Sequence, residues 1–317
     1  MDTLLTMDES GVHIASPEIA EKLSKKNISA SLITGLEECA AKWVANTFAI
    51  DQIVETELDN PLTRGTLFHS VMEDFFAEPP EKRTKKRMKS VINETLQKPD
   101  FEHFATNRDA VMWLRDAING YYAMGGKPEK VNVAKFDTKH GEKSGLEYFV
   151  KGEVGDSKRK VLGFVDRIIV DPRDTSKRIV EDWKSGAKAK KWNGKLNAKE
   201  GIPEQRQQMI YSMLLEDDGF EISAARLIYP VAREVVNVEL QNEKLREKVI
   251  EDVERTDAQL DHLEETNTFE YTPSFLCAFC PLAKICPAAQ IKMVGKLKDG
   301  YQSQPDPEEL AEGIELL

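Results

Sequence analysis

The chain has 317 residues, of which 40% are hydrophobic and 31% charged, and it carries a formal net charge of −11. This composition is that of a globular protein, and an acidic balance ordinarily argues against nucleic acid as a partner. The apolar runs are far shorter than the roughly 20 residues that span a bilayer, and the acidic N-terminus does not resemble a signal peptide. We therefore expect a cytoplasmic protein that does not bind a membrane.

Residues 1–130 are predicted to form a helical region. Ser16-Pro17-Glu18 is typical of a helix start, with a capping residue, a proline and an acidic first turn. Apolar residues recur on one face of residues 63–77, which predicts an amphipathic helix that ends before Pro79-Pro80. The predicted helices are 17–26, one that begins at Ser31, 63–77, 81–97 and 106–124.

Residues 131–240 change to short β-rich runs separated by clusters of turn-forming residues. One helix, predicted at 204–215, interrupts these runs. The order of strands, helix and strand indicates a mixed α/β core rather than a doubly wound sheet. The predicted strands are 131–137, 145–152, 161–170, 178–183, 222–230 and 235–240.

The remaining chain is predicted to form a long charged helix at about 242–265, a cysteine-containing loop up to residue 290, and a flexible acidic tail at 291–317. From Asp306 to residue 317 the chain holds five acids and no basic residue, so part of the negative charge is local. The sequence has no internal repeat and no glycine-rich phosphate loop of the ATPase type.

Two stretches are basic despite the overall charge. Residues 82–89 hold six basic residues, and residues 184–195 hold five together with Trp192. Such runs form solvated surfaces in most proteins, but they also contact the phosphates of a nucleic-acid backbone in others. Both interpretations stay open at this point.

The four cysteines form a pattern that is typical of metal ligands. Cys277, Cys280 and Cys286 follow C-x2-C-x5-C, and Cys39 lies far earlier in the chain. Thiolates select zinc or iron–sulfur clusters, and disulfides are disfavoured in a reducing cytosol. The spacing therefore favours a metal centre, and it does not distinguish zinc from a cluster.

The carboxylates of two neighbouring predicted strands suggest a second metal site. Asp166 lies in an apolar strand, where an unpaired carboxylate is costly. Asp182 and Lys184 project to the same side of the next strand, because strand side chains alternate. Carboxylates suit Mg²⁺ or Mn²⁺, and a lysine beside the metal orients water and offsets phosphoryl charge. The alternative is a pair of salt bridges at a sheet edge.

These residues resemble the core motif of the PD-(D/E)XK nucleases, in their RecB-type branch. The resemblance rests on GFVD at 163–166 and IVEDWKSG at 179–186. Gly65 and His69 match the G-x-x-x-H helix of that branch, and Gln207 and Tyr211 match its Q-x-x-x-Y motif. Glu147 aligns loosely with an accessory acid. The resemblance covers about residues 29–287.

The resemblance implies a restriction-endonuclease-like α/β core, with a mixed central sheet flanked by helices. It adds an N-terminal or inserted helical region and a C-terminal iron–sulfur clasp. It implies that His69, Asp166 and Asp182 hold Mg²⁺ or Mn²⁺ and that Lys184 positions the attacking water. Gln207 and Tyr211 would place the phosphate.

The cysteine pattern is similar to that of an iron–sulfur subgroup, which includes the CRISPR-associated fourth Cas exonuclease and the nuclease domains of AddAB-type helicase–nucleases. The resemblance implies that the cysteines hold a structural [4Fe–4S] cluster, with zinc as the alternative. The implied cluster ligands are Cys39, Cys277, Cys280 and Cys286.

We therefore expect a metal-dependent DNA exonuclease that acts on single-stranded ends in recombination, repair or phage DNA processing. The expected DNA-binding residues are Lys188, Lys190, Lys191 and Trp192, the last by stacking on an unpaired base. The alternative is a non-catalytic or partner-dependent DNA-binding subunit of a helicase–nuclease or CRISPR adaptation complex. A homo-oligomer or a recombination protein is a further expected partner.

Overall fold

The computed structural model describes residues 4–49, 61–139, 141–186, 191–192, 195–196 and 202–274, together with 277, 280, 282–283 and 285–289. The chain divides into two compact units. The first comprises Met1–Lys25, Gly35–Glu55 and Leu260–Leu317, and the second comprises Lys26–Thr34 and Thr56–Gln259. The four segments expected from the sequence stay a prediction.

The first unit contains a small hairpin that the sequence analysis did not predict. Strands β1 (Leu5–Met7) and β2 (Val12–Ile14) are antiparallel, and Val12 also exchanges backbone hydrogen bonds with Phe269. Its helices are α1 (Pro17–Ser24) and α3 (Ala40–Phe48), and α2 (Ala30–Glu38) contributes residues to both units.

In the second unit, a group of helices precedes the strands of the central sheet along the chain. The helix predicted at 81–97 is a 3₁₀ turn followed by a longer helix, whereas the helix predicted at 106–124 is found as one helix, with a separate short helix before it. A capping side chain begins each of the two longer helices. Thr84 accepts a hydrogen bond from the Arg87 N–H, and Asn107 accepts one from the Ala110 N–H. The helices are α4 (Pro61–Ala77), α5 (Lys85–Thr95), α6 (Glu102–Ala105) and α7 (Arg108–Ala123), with 3₁₀ turns at Pro80–Lys82 and Pro128–Lys130.

A mixed sheet of five strands forms the centre of the second unit, so the predicted mixed α/β core with flanking helices is confirmed. The strand order is β11-β10-β7-β6-β5. Strand β10 runs parallel to β7, and the other neighbours are antiparallel. The strands are β5 (Leu146–Gly152), β6 (Val161–Asp171), β7 (Asp174–Trp183), β10 (Ile222–Tyr229) and β11 (Glu234–Val238).

Two further hairpins accompany the sheet. Strand β3 (Lys135–Thr138) pairs with β4 (Gly141–Ser144), and β8 (Lys191–Trp192) pairs with β9 (Lys195–Leu196). The strand predicted at 131–137 is wrong in its first half. There the chain leaves a 3₁₀ turn and touches β6 only through a single bridge between Val133 and Ile169.

Helix α8 (Ile202–Asp217) connects β7 to its parallel neighbour β10, as parallel strands require a crossover. A buried ion pair ties α8 to α9 (Glu243–Thr266). The Arg206 guanidinium lies 2.9 Å from the Asp252 carboxylate and donates a second hydrogen bond to the Thr34 hydroxyl. Both charged side chains are almost fully buried, and the Asp252 carboxylate also pairs with Lys248 at 2.9 Å and with Arg255 at 2.8 Å.

No helix among the described residues is long and apolar enough to cross a membrane.

We expect Asp252→Asn to destabilise the protein by about 3–5 kcal/mol, because it removes the buried carboxylate that pairs with Arg206, Lys248 and Arg255. Chemical denaturation followed by circular dichroism measures the free energy of unfolding. Glu251→Gln is the matched control, since Glu251 is the exposed neighbour on the same helix and makes only a surface pair with Lys248. The control should lose less than about 1 kcal/mol. Equal losses in both variants would contradict the buried pair.

Candidate active site

One histidine and two carboxylates form a compact cluster in the second unit. Ligand atoms of His69, Glu147 and Asp166 all lie within 4.8 Å of one another. They come from three elements, namely α4, β5 and β6. One nitrogen and two carboxylate donors at this spacing suit a divalent cation such as Mn²⁺ or Mg²⁺.

The orientation of His69 suits a metal ligand. Its Nε2 lies 3.1 Å from the carbonyl oxygen of Trp183. A carbonyl only accepts hydrogen bonds, so Nε2 carries the proton. In the neutral ring Nδ1 then offers its lone pair, and Nδ1 is the nitrogen that lies 3.5 Å from the Asp166 carboxylate. A backbone carbonyl that fixes the tautomer in this way is typical of histidines that bind metals.

Trp183 positions the carboxylate as well as the histidine. Its backbone N–H donates a 2.6 Å hydrogen bond to Asp166. Its indole packs edge-on against Phe68 and stacks on Phe76, both from α4, and the Arg167 guanidinium lies 4.4 Å from the centre of the same ring. The aromatic contacts therefore hold the helix that carries His69 against the strand that ends at Trp183.

Asp182 and Lys184 flank Trp183 and form an ion pair. The Lys184 ammonium lies 2.8 Å from the Asp182 carboxylate and donates a 3.0 Å hydrogen bond to the Gln207 side-chain oxygen. The Gln207 amide in turn donates to the Tyr211 hydroxyl at 3.2 Å. A chain of polar contacts therefore runs from β7 to α8 and fixes the ammonium.

Burial raises the pKa values of Glu147 and Asp182 at this site. Burial and then the Asp166 charge raise the pKa of Glu147 to about 7. Burial likewise raises the pKa of Asp182 to about 6, although Lys184 opposes the shift. Burial alone would lower the pKa values of His69 and Lys184, but the surrounding carboxylates outweigh it and raise both. The site therefore concentrates negative charge that a cation would neutralise.

The backbone of Glu147 adds a local strain to this arrangement. Its φ of 43° lies in the left-handed region, which costs free energy for a residue with a side chain. Two glycines of the sequence motifs have a clearer packing role. A Cβ at Gly163 would meet the Tyr211 ring at 2.3 Å, and a Cβ at Gly65 would meet the Ser185 hydroxyl at 3.0 Å. Both glycines therefore allow helices to approach the site closely.

A cavity of about 330 Å³ is lined by His69, by the two aspartates of the site and by Lys184. Its lining includes Glu204 and Tyr229, which the sequence analysis missed. Glu204 stands one helical turn before Gln207, so its position on the same face of α8 was a usable signal. Tyr229 follows Ile228, the residue that pairs with Trp183 across the parallel strands, and nothing in the sequence reveals that pairing. The lining residues are His69, Asp166, Asp182, Trp183, Lys184, Ser185, Gly186, Glu204, Gln207 and Tyr229.

The structure thus brings five predicted residues to one cavity, namely His69, Asp166, Asp182, Lys184 and Gln207. Tyr211 accepts a hydrogen bond from the Gln207 side chain. The expected DNA-binding residues are not tested in the same way. Lys188 and Lys190 lie outside the described residues, and Lys191 and Trp192 are described only by the backbone of β8.

The other basic stretch, residues 82–89, is partly structural. Arg83 is buried and donates hydrogen bonds to the backbone carbonyls of Phe76, Glu78, Pro128 and Val131. Arg87 forms ion pairs with Glu78 and Glu94. These two arginines therefore stabilise the helical region.

The four cysteines meet at a single pocket of the first unit. Cys39, Cys277, Cys280 and Cys286 all line it, and none forms a disulfide. Two of the sulfurs accept backbone hydrogen bonds, with the Thr272 N–H 3.4 Å from Cys39 Sγ and the Ser274 N–H 3.2 Å from Cys277 Sγ. Amide donors of this kind stabilise thiolates, the form in which cysteine binds metals.

Comparison with curated proteins gives no match. Among solved structures, a protein from Eubacterium rectale described as a "putative exonuclease" is 10% identical, with a TM-score of 0.49 over 95% of this chain and 97% of its own. The crystal structure of SSO0001 is 14% identical, with a TM-score of 0.36 over 86% of this chain and 93% of its own.

The sequence itself gives the decisive comparison. Residues 27–287 match the family described as the PD-(D/E)XK nuclease superfamily. This range is most of the chain, and it contains the histidine, the carboxylates and the lysine of the cavity. The protein therefore belongs to the PD-(D/E)XK nuclease superfamily.

Proposed function

We propose that this protein is a metal-dependent DNA exonuclease that acts on single-stranded ends. The observation that carries the proposal is the convergence of His69, Glu147 and Asp166. His69 and Asp166 line one cavity together with the Asp182–Lys184 pair. Nucleases of this superfamily use divalent metal ions, and the donor set at this site fits one.

In the proposed site, His69, Asp166 and Asp182 hold one or two Mg²⁺ or Mn²⁺ ions, and Glu147 is a further donor. The bound ion supplies Lewis-acid stabilisation of charge on the phosphate. The protein's own residues fix the geometry. Trp183 holds His69 and Asp166 through its backbone carbonyl and N–H.

Lys184 acts as a positioned cation. The raised pKa of Lys184 keeps its ammonium protonated at neutral pH, so it cannot take a proton from water. It donates hydrogen bonds instead, which orients the attacking water and offsets the charge of the phosphate. Gln207 and Tyr211 hold the ammonium in place through their side-chain hydrogen bonds.

The preference for single-stranded ends follows from the resemblance to the RecB-type branch, as does a role in recombination, repair or phage DNA processing. The alternative is a partner-dependent subunit. The purified chain of such a subunit would bind DNA but would cleave it only beside a helicase or integrase. The complete set of charged residues in the cavity favours activity of the chain alone.

We further propose a structural [4Fe–4S] cluster on Cys39, Cys277, Cys280 and Cys286. Two observations support it, namely the common pocket and the amide donors to sulfur. Zinc stays the alternative, because thiolates bind it as well.

Asp182→Asn should abolish Mn²⁺-dependent degradation of a single-stranded oligonucleotide, with a rate loss of about a thousandfold or more, because it removes a metal-binding charge without changing shape. A gel assay with end-labelled DNA measures the rate and also reports the polarity of cleavage. Asp174→Asn is the matched control, since Asp174 is an exposed acid at the other end of the same strand. Unchanged digestion by Asp182→Asn would refute the proposed nuclease site.

Stabilisation by Mn²⁺ should increase from about pH 5 to about pH 8. Without metal, the folded protein keeps protons on Glu147 and Asp182, whose pKa values are raised to about 7 and about 6. It therefore binds more protons than the unfolded chain, and its stability falls as the pH rises through this range. Mn²⁺ needs the ionised forms, so its contribution grows over the same range.

Thermal unfolding with and without saturating Mn²⁺ at both pH values measures this effect. Glu147→Gln should flatten the pH dependence, because the amide holds no exchangeable acidic proton. A Mn²⁺-induced shift in midpoint that is the same at both pH values would contradict the assignment of these carboxyls to the metal site.

Protein purified without oxygen should be brown and contain about four iron atoms per chain, as a [4Fe–4S] cluster requires. Absorption spectra and metal analysis measure the content. Cys280→Ala should lose the colour and most of the iron, whereas the Asp182→Asn protein should keep both. Colourless protein that contains zinc would favour the zinc alternative.

A further inference from the structure

Two exposed phenylalanines lie side by side on the sheet near the metal-binding carboxylates. Phe149 of β5 and Phe164 of β6 are partners in the strand register, and their ring centroids are 5.2 Å apart. Their exposed fractions are 43% and 53%. Phenylalanine is usually buried, so an exposed pair at matched positions calls for a contact outside the chain.

The aromatic pair lies close to two metal-binding carboxylates along the strands. Phe164 is two residues before Asp166 on β6, and Phe149 is two residues after Glu147 on β5. Two residues span about 7 Å along a strand. The register pairs Phe149 with Phe164, so both rings stand at a similar distance along the strands from the two carboxylates.

A basic side chain shares the face of the two rings. Lys151 lies two residues after Phe149, pairs with Leu162 across the strands and is exposed. The two strands thus carry metal-binding carboxylates, an aromatic pair and an ammonium group in succession. A single DNA strand presents a matching series, with phosphates on its backbone and flat bases between them.

We propose that Phe149 and Phe164 form a stacking platform for unpaired bases of the strand whose phosphate lies at the metal site. This proposal rests on the proposed nuclease function and deepens it by assigning the preference for single strands to named residues. Bases in a duplex are stacked on one another, so their faces cannot reach a protein ring, whereas unpaired bases stack readily on aromatic side chains.

A second copy of the chain is the other possible occupant of this face. The exposed halves of two rings amount to roughly 200 Å², well below the approximately 800 Å² per partner that a stable interface buries. The charged groups on both sides of the rings limit any extension of the apolar surface. A nucleic-acid strand fits the small area and the flanking charges better than a protein surface does.

The test compares Phe149→Ala/Phe164→Ala with the wild-type protein on a single-stranded oligo-dT and on the same strand with consecutive abasic sites. Fluorescence anisotropy in Ca²⁺ measures binding, and single-turnover cleavage in Mn²⁺ measures the rate. We expect the double variant to bind oligo-dT about tenfold more weakly, the loss that one stacked base represents. On the abasic strand the two proteins should bind alike.

Matched variants separate stacking from other effects. Phe149→Tyr/Phe164→Tyr should keep the affinity, because it retains the rings, whereas the corresponding leucine pair should lose it. Val235→Ala is the control for removing an exposed apolar side chain from another strand of the sheet, since Val235 is 49% exposed. It should bind oligo-dT as the wild type does.

The proposal is overturned if the alanine pair binds oligo-dT as tightly as the wild type, or if it loses equal affinity for the abasic strand. It is also overturned if sedimentation shows a wild-type dimer that the alanine pair dissociates. Failure of the nuclease function gives a different result, namely wild-type protein that degrades no DNA in Mn²⁺. The binding comparison in Ca²⁺ still decides the platform in that case.

Discussion

The position of the Trp183 backbone is the constraint on which the site depends. Its N–H binds Asp166, its carbonyl binds His69, and its neighbours in the chain are Asp182 and Lys184. The indole on the same residue packs among the aromatic side chains of α4. Packing of one aromatic ring therefore fixes the distances between four polar groups on three elements.

Charge is distributed around this constraint so that each group has a distinct role. The pKa values of Glu147 and Asp182 are raised, because burial and the neighbouring carboxylates disfavour their ionised forms. Lys184 stays charged because the same carboxylates surround it. The arginines take structural positions instead, with Arg206 buried against Asp252 and Arg83 against backbone carbonyls. The acidic balance of the chain is thus compatible with a nucleic-acid substrate once a divalent cation is bound.

The sequence was sufficient for the features that follow a simple pattern. Asp182 and Lys184 follow the alternation of a strand, and the mixed α/β core follows from the order of the elements. Gln207 and Tyr211 were identified instead from the resemblance to the Q-x-x-x-Y motif. Contacts that depend on pairing between distant segments could not be derived. The register that places Tyr229 at the cavity, the positive φ of Glu147 and the pairing of Phe149 with Phe164 all arise from tertiary structure. The hairpin at 5–14 was missed because its strands have only three residues each.

The parallel pairing of β7 with β10 also has a consequence for the order of folding. The Lys184 N–H donates to the carbonyl of Ile228, which lies beyond the whole crossover helix. Antiparallel β5, β6 and β7 can pair through short connections, but the β7–β10 contact closes a long loop, and such contacts form slowly. During synthesis, the lysine therefore gains its final backbone anchor only after β10 has emerged from the ribosome. The fold itself delays assembly of a hydrolytic site until most of the chain exists.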